Sequence, residues 1–352
     1  MKKLVLAVLA LGAVAACTKS NVQYEQPGEI SLHPVAQKAT KVFGAIDGNE
    51  YDPSETFNVW AWWSNADPAV TLTEYTGYTT QYINQGTFIN KADSWGGKIS
   101  YYWPTTGSLV FAGYSPASVS SNGTYNYVPA TKTLTISGFR QPSDVTETID
   151  LMWFDITDGS YRQNPQDSGV PVVFQHALSW LTFNFNLKDA NTPQSWEIKS
   201  VQLKNIETQG DFDAVKGNDE DTKWKSHTDT KDITVYSSDP EAYKLTYDAD
   251  GTILENTTDK NGVLIIPQSC APASGTTPAA AELYIEYILT ANSAPITTNI
   301  TLPLNPGEDD TEWKPGKHYT YNITFGAKNE ILISPTVTDW AEYEPAVDLD
   351  VQ

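Results

Sequence analysis

The chain is poor in cysteine and histidine and lacks the motifs of common hydrolases. It has two cysteines and four histidines among 352 residues, and no two histidines stand at a metal-ligand spacing. It contains neither Gly-x-Ser-x-Gly nor His-Glu-x-x-His, the signatures of serine hydrolases and zinc proteases. These absences argue against an enzyme, a bound metal and a cofactor. A catalytic pair of carboxylates assembled from distant strands stays open.

Positive charge is also scarce. The chain has 22 Lys and Arg against 43 Asp and Glu, a net charge of −21, which argues against nucleic acid and anionic lipid surfaces as partners. An excess of negative charge also favours solubility. With 40% hydrophobic and 12% aromatic residues, the chain is not disordered. Its length fits two domains of ordinary size.

The N-terminus carries a secretory signal, predicted at residues 1–16. Lys2 and Lys3 precede an apolar stretch, Leu4 to Val14, that is too short to span a bilayer stably. Small residues then precede Cys17, which resembles a lipobox and predicts cleavage before Cys17 and its acylation. The alternative is an ordinary signal with a chance cysteine. With Cys17 lipidated, Cys270 has no disulfide partner and is expected to be a small buried residue.

Strand patterns dominate the first half of the mature chain. In the run Phe57 to Trp63, alternate residues are expected on opposite faces, with Trp60 and Trp62 on one of them. From Tyr75 to Leu151, apolar runs and turn signals alternate roughly every ten residues, which favours an all-β sandwich. Trp60 and Trp62 have two interpretations. They fill a core, or they form an exposed surface on which sugar rings stack.

A hairpin is predicted near the C-terminus. Within residues 313–340, Tyr319, Tyr321, Ile323 and Phe325 alternate with polar residues. A second strand-like run follows a Gly-Ala-Lys-Asn turn and is expected to be interrupted at Pro335. The run Trp-x-Pro-Gly-Lys-x-Tyr-x-Tyr-x-Ile, with a terminal Asp-Trp, resembles the C-terminal domain of fimbrillins, the lipoprotein pilins of type V pili. Three earlier pieces agree with that family in order: Asp150–Trp153, Phe174–Leu178 and Leu264–Gln268.

The resemblance implies a fold of two tandem transthyretin-like β-sandwich domains, predicted at residues 42–169 and 170–340. The strand pattern alone fits an up-and-down barrel or an immunoglobulin-like sandwich equally well. The polar segment 158–169 is the expected connection between the domains. Residues 211–231 are expected to form an acidic loop. This loop and Asp248–Gly251 match a calcium loop only in part, so no metal site is predicted.

The resemblance also implies how the ends of the chain are used. In fimbrillins a trypsin-like protease removes the lipidated N-terminal segment together with its first strand, which corresponds here to residues 17–41 with a strand at Ile30–Ala36. Lys41 stands where the family often has arginine and is the first cleavage candidate, with Lys38 the second; both lysines otherwise read as ordinary solvated charges. Residues 341–352 resemble the strand that one subunit donates to the next. Its candidate groove-filling residues are Val347, Leu349 and Val351.

The function implied is a structural pilin subunit, exported as a lipoprotein to the outer membrane and polymerised into an extracellular pilus that supports adhesion. The tail after Trp340 favours a stalk subunit over a tip or anchor subunit. Expected partners are copies of itself, other pilins, the lipoprotein processing machinery, a trypsin-like surface protease and a host glycan or protein. The alternative function is a surface-anchored glycan-binding lipoprotein, for which the aromatic content is the argument.

Overall fold

The computed structural model describes residues 28–36, 51–92, 94–165, 169–191, 194–238, 241–247, 252–253, 262–270, 280–307, 310–326 and 330–339. Within these ranges the regular elements are β-strands and two short 3-10 helices, Ala117–Ser121 and Pro129–Thr131. The predicted all-β class is therefore confirmed. The strands are β1 (Ser31–Ala36), β2 (Phe57–Ser64), β3 (Thr80–Asn90), β4 (Trp95–Gly97), β5 (Ser108–Ser115), β6 (Thr124–Val128), β7 (Thr133–Arg140), β8 (Met152–Phe154), β9 (Val170–His176), β10 (Ser179–Leu187), β11 (Ser195–Val215), β12 (Asn218–Ser237), β13 (Tyr243–Lys244), β14 (Thr252–Ile253), β15 (Val263–Ile265), β16 (Glu282–Ala291), β17 (Ala294–Pro303), β18 (Lys317–Phe325) and β19 (Ile331–Asp339).

The first sheet is closed on itself. Its strands follow the order β1-β4-β3-β2-β5-β8-β9, and β1 returns to pair with β9. The β1–β9 pairing is parallel, while the other pairings in this sheet are antiparallel. The N-terminal strand therefore joins the two ends of an otherwise open sheet.

The two faces of β2 point into different cores. Phe57, Val59 and Ala61 lie in the core enclosed by the closed sheet. Trp60 and Trp62 point the other way, into a second core that contacts β6, β7 and β11. Because a strand presents successive side chains to opposite faces, one aromatic strand contributes to two cores.

Two further sheets enclose a third core. One has the order β14-β10-β18-β19 with β15 also paired to β10, and the other has the order β17-β16-β11-β7-β6 with β12 and β13 also paired to β11. The predicted hairpin is present as β18 and β19. The expected interruption at Pro335 is wrong, because β19 continues past Pro335 to Asp339. Proline is tolerated there because β19 is an edge strand among the described residues, so its missing N–H faces away from β18.

The long hairpin of β11 and β12 corrects the expectation of an acidic loop. Residues 211–231 lie almost entirely in these two strands, which turn at Lys216 and Gly217. The polar sequence predicted a loop because, among the described strands, β12 pairs only with β11 and most of its side chains are exposed, so it lacks the apolar alternation of a buried strand. One part of β11 pairs with β16 and another with β7.

Two strand pairings cross the predicted domain boundary at Gly169. Strand β7, before Gly169, pairs with β11, after it, and β1 pairs with β9 in the same way. The division into two domains at Gly169 stays a prediction.

The motif residues form buried hydrogen bonds between elements. His176 Nδ1 lies 2.9 Å from Asp150 Oδ1, with both side chains buried, so His176 is a hydrogen-bonded structural residue. Gln268 pairs with the backbone of Glu207 in β11: its Oε1 accepts from the Glu207 N–H at 2.9 Å, and its Nε2 donates to the Glu207 carbonyl at 3.0 Å. The side chain of Gln268 thus replaces a neighbouring strand at this point.

The buried carboxyl of Asp155 should make the stability of the fold depend on pH. Burial raises the pKa of Asp155 to about 7, whereas an unfolded aspartate titrates near about 3.9. Between about pH 4 and 7 the folded protein holds a proton that the unfolded chain has lost, so stability falls as pH rises through this window. Asp155→Asn should raise the free energy of unfolding at pH 8, relative to the parent, by on the order of 1–3 kcal/mol. Urea unfolding at pH 5 and pH 8 measures the effect.

The matched control is Asp219→Asn, since Asp219 is exposed. It should leave the difference between the two pH values unchanged. An Asp155→Asn variant that keeps the parent's pH dependence would show that this carboxyl does not titrate as its burial implies.

Candidate functional site

The candidate site is the gap between β4 and β9 that β1 fills, here named the β1 slot. On one side, Ser31 pairs with Gly96 and Leu32 with Trp95. On the other side, β1 runs parallel to β9 from the pair Leu32–Val170 to the pair Ala36–Phe174. Among the described strands, β4 and β9 are joined only through β1. Removal of β1 would therefore leave two strand edges unpaired.

Side chains of β1 fill the slot in an alternating pattern. Ile30, which directly precedes β1, and Leu32 are 0% exposed. Pro34 is also buried, whereas His33, between Leu32 and Pro34, is exposed. Ile30 and Leu32 lie in the enclosed core, and burial of each contributes about 1.5–3 kcal/mol. The aromatic residues of that core are Tyr51, Phe57, Phe88, Trp95, Trp103, Phe111, Phe154 and Phe174.

The segment after β4 extends the slot. The Ile30 N–H donates to the Tyr101 carbonyl at 2.8 Å, and the Trp103 N–H donates to the Gly28 carbonyl at 3.1 Å. Glu29 forms an isolated antiparallel bridge with Tyr102. The backbone of residues 28–30 therefore pairs with residues 101–103, and residues 31 and 32 pair with β4, so the backbone of the buried Ile30–Leu32 segment is paired throughout.

The side chain of Asn164 binds the backbone at the start of β1, in addition to the two neighbouring strands β4 and β9. Its Oδ1 accepts hydrogen bonds from the Ser31 N–H at 3.1 Å and the Trp103 Nε1–H at 3.0 Å. Its Nδ2 donates to the Glu29 carbonyl at 3.1 Å. Asn164 carries no signal in the sequence, because it lies in a polar segment without apolar periodicity. The side chain supplies a donor and an acceptor, as a neighbouring strand would.

Gly169 and an ion pair complete the contacts of β1. Gly169 has a φ of +103°, and a Cβ atom there would lie 2.5 Å from the Ser31 carbonyl carbon, so only glycine permits this approach. Lys91 Nζ forms an ion pair with Glu29, and this hydrogen bond lowers the pKa of the Glu29 carboxyl. Because both side chains are about one-third exposed, the pair orients the strand more than it stabilises it.

The predicted site residues at the chain ends lie outside the described residues. Cys17 belongs to residues 1–27, and Lys38 and Lys41 belong to residues 37–50. The tail residues follow Asp339, the last residue that the structure describes: Val347, Leu349 and Val351. Lipidation, cleavage and strand donation therefore stay predictions, while the strand predicted at Ile30–Ala36 is present as β1.

The interpretation of Trp60 and Trp62 as core residues is confirmed. Trp60 is 2% exposed and Trp62 is 5% exposed. Both contact the Tyr127 ring, and Trp60 also packs on Tyr114. These tryptophans form no surface on which a sugar ring could stack, so the main argument for glycan binding is lost.

Two of the acidic residues considered for calcium, Asp211 and Asp213, are engaged within the sheet. Asp211 Oδ1 accepts the Gly138 N–H at 2.7 Å, and Asp213 pairs with Lys225. The described residues contain no group of three or more His, Cys, Asp or Glu side chains suited to holding a metal ion. Asp248–Gly251 lies outside the described residues. In the described part of the chain, no helix has the length and apolar character needed to cross a membrane.

The fold and the slot define a class of all-β protein in which a separate N-terminal strand closes a sheet. The model of the fimbrillin-like family matches residues 40–340, and the chain belongs to this family. The structure is similar to a fimbrial protein from Bacteroides vulgatus, with 18% identity, a TM-score of 0.59 and coverage of 89% of this chain and 99% of that one. It is also similar to a candidate cell adhesion protein from Bacteroides uniformis, with 16% identity, a TM-score of 0.50 and coverage of 89% and 98%. No curated protein matches the chain.

Family membership confirms the resemblance found in the sequence. Fimbrillins are structural pilin proteins, so the chain has a pilin-like role in adhesion at the cell surface and is not an enzyme. The family also implies self-association into pili. At these low identities the solved structures establish the fold alone.

Loss of the Asn164 side chain is predicted to loosen β1. Asn164→Ala removes the partners of the Ser31 N–H, the Trp103 Nε1–H and the Glu29 carbonyl, and an unpaired group of this kind costs about 1–3 kcal/mol when it is buried. We expect faster amide exchange of Ile30 and Ser31 in the variant, measured by hydrogen–deuterium exchange mass spectrometry.

Asn126→Ala is the control, because Asn126 is exposed on β6, away from β1. It should leave exchange in β1 unchanged. Equal protection of β1 in the Asn164→Ala variant and the parent would mean that Asn164 does not hold the strand.

Proposed function

We propose that the chain is a type V pilin subunit that polymerises by strand exchange at the β1 slot. The observation that supports this is the place of β1: it closes the first sheet by pairing with strands on both sides. It is also the first strand of the described chain. A strand that a single backbone cut can detach, and whose loss opens an apolar groove, suits replacement by a strand of another subunit.

The proposed processing begins with acylation of Cys17 and anchoring in the outer membrane. A trypsin-like surface protease then cuts after Lys41, or after Lys38. Both lysines follow β1 in sequence, so either cut leaves β1 attached to the body through non-covalent contacts alone. These contacts are short backbone ladders and the buried side chains of Ile30 and Leu32.

The proposed donor is the tail of a neighbouring subunit, residues 341–352. The slot receives Ile30, which directly precedes β1, together with Leu32 and Pro34 of β1, and these three residues are spaced two positions apart. The tail carries Val347, Leu349 and Val351 at the same spacing. Because the alternation of a strand fixes which side chains enter the sheet, the tail presents three apolar residues in the way that β1 does.

This exchange joins unlike surfaces of two subunits. The tail of one subunit enters the slot of the next, and the second subunit still has a free tail. Such a heterologous contact extends into a filament instead of closing a dimer. The subunit therefore acts as a stalk component, and the assembled pilus carries the adhesive role. Other pilins, and a host glycan or protein, are the further partners expected.

Removal of the tail tests this function. A chain that ends at Trp340 should fold and be processed at its N-terminus but should fail to polymerise, because it has no strand to donate. Multimers that resist dissociation form a ladder on a denaturing gel, and the parent should give the ladder while the truncated chain gives a single band.

Two single substitutions in the tail serve as matched variants. Leu349→Asp places a charge where the slot is apolar and should abolish the ladder. Asp350→Asn changes the opposite face of the same strand and should preserve it. Multimers formed by the truncated chain would refute strand donation by residues 341–352.

A further inference from the structure

The strand β17 is an uncharged edge. It pairs with β16 along its whole length without a register shift, and no described strand pairs with its other side. The sequence Ala294–Pro303 contains no charged residue, although the chain has a net charge of −21. Exposed edge strands usually carry charges, prolines or bulges that prevent pairing with another chain. β17 has prolines near its two ends, Pro295 and Pro303, but no charge or bulge between them.

The hairpin turn determines which groups of β17 point outward. Asn292 and Ser293 form a two-residue turn, and both have positive φ values, 51° and 65°. Such a turn makes the closing pair, Ala291 and Ala294, a hydrogen-bonded pair. Even-numbered residues of β17 therefore bond to β16, and odd-numbered residues direct their backbone groups away from it. Pro295 and Pro303 occupy outward positions, as expected for residues without an N–H.

Three residues between these prolines offer an outward N–H and C=O. They are Thr297, Asn299 and Thr301. Their positions are symmetric about Asn299, because a threonine lies on each side of it and a proline lies beyond each threonine. A strand with this symmetry presents the same pattern in either direction, which is what antiparallel pairing with an identical strand requires.

We propose that a second copy of this chain docks on β17 in antiparallel orientation, about a two-fold axis through Asn299. Asn299 then lies opposite its counterpart, and Thr297 lies opposite Thr301 of the second copy. The three outward residues of each strand form about six backbone hydrogen bonds. The prolines end the ladder at both sides, so the contact is a closed, isologous dimer.

The side chains fit this contact. Ile296 is 60% exposed at the edge of the sheet, and the register places it opposite Leu302 of the second copy. The contact therefore covers an apolar side chain that the single subunit leaves in water. Facing threonine pairs are also favourable between strands. β17 lies in a different sheet from β1, so this lateral contact does not rest on the proposed strand exchange.

Disulfide trapping tests the register directly. The protein used is the Cys17→Ser variant that has not been cut after Lys38 or Lys41, here called the uncleaved chain. Its remaining cysteine is Cys270, which is buried. Asn299→Cys in this background should form an interchain disulfide, because residues paired in this way lie about 5.5 Å apart between Cα atoms. Thr297→Cys should not, because the two Thr297 residues lie roughly 13 Å apart. A mixture of Thr297→Cys and Thr301→Cys chains should crosslink again.

A charge at the axis tests the same contact in solution. Sedimentation velocity of the uncleaved Cys17→Ser chain should reveal a concentration-dependent dimer that Asn299→Lys abolishes. Ser334→Lys, on the exposed edge strand β19, should leave the dimer intact. Near-ultraviolet circular dichroism checks that both variants fold. A strictly monomeric parent, or Asn299→Cys trapping no greater than Thr297→Cys trapping, overturns the proposal. Since the uncleaved chain retains β1, neither result bears on strand exchange.

Discussion

The architecture of the first sheet depends on the backbone pairing of β1 with β4 and β9. Without it, each of those strands would have an unpaired edge, and the aromatic core beneath would lose the cover of Ile30 and Leu32. An unmade hydrogen bond to a buried backbone group costs more than a made one contributes. An empty slot is therefore unstable, and a strand with the same alternation of apolar residues would be bound strongly. This constraint connects the fold to the strand exchange that we propose.

Packing replaces disulfide bonds as the source of stability. Cys270 is a free, buried thiol, and its burial raises its pKa above the usual range. Three aromatic-rich cores take the place of covalent links, and β2 contributes to two of them. β11 pairs with β16 near one end and with β7 near the other, so a single long strand joins two of the packed regions.

Alternation in the sequence was sufficient to predict the all-β class, the two faces of β2, the hairpin of β18 and β19, and the strand at Ile30–Ala36. Alternation reports burial but not partners, so the parallel pairing of β1 with β9 could not be read from it. The role of Asn164 depends on contacts between residues far apart in sequence. The hairpin of β11 and β12 was hidden because the exposed β12 carries charges on most of its length. Pro335 was taken as an interruption because its edge position was not visible.

Under the proposed strand exchange, β1 must leave its slot before subunits join. Val35 and Val173 are paired neighbours on the outer face of β1 and β9, so Val35→Cys with Val173→Cys places two thiols within disulfide range. The measurement is filament formation by this variant, after protease treatment, before and after reduction. The processed subunit should form no filament while the disulfide holds β1, and it should polymerise once the disulfide is reduced. Filaments assembled with the disulfide intact would contradict it.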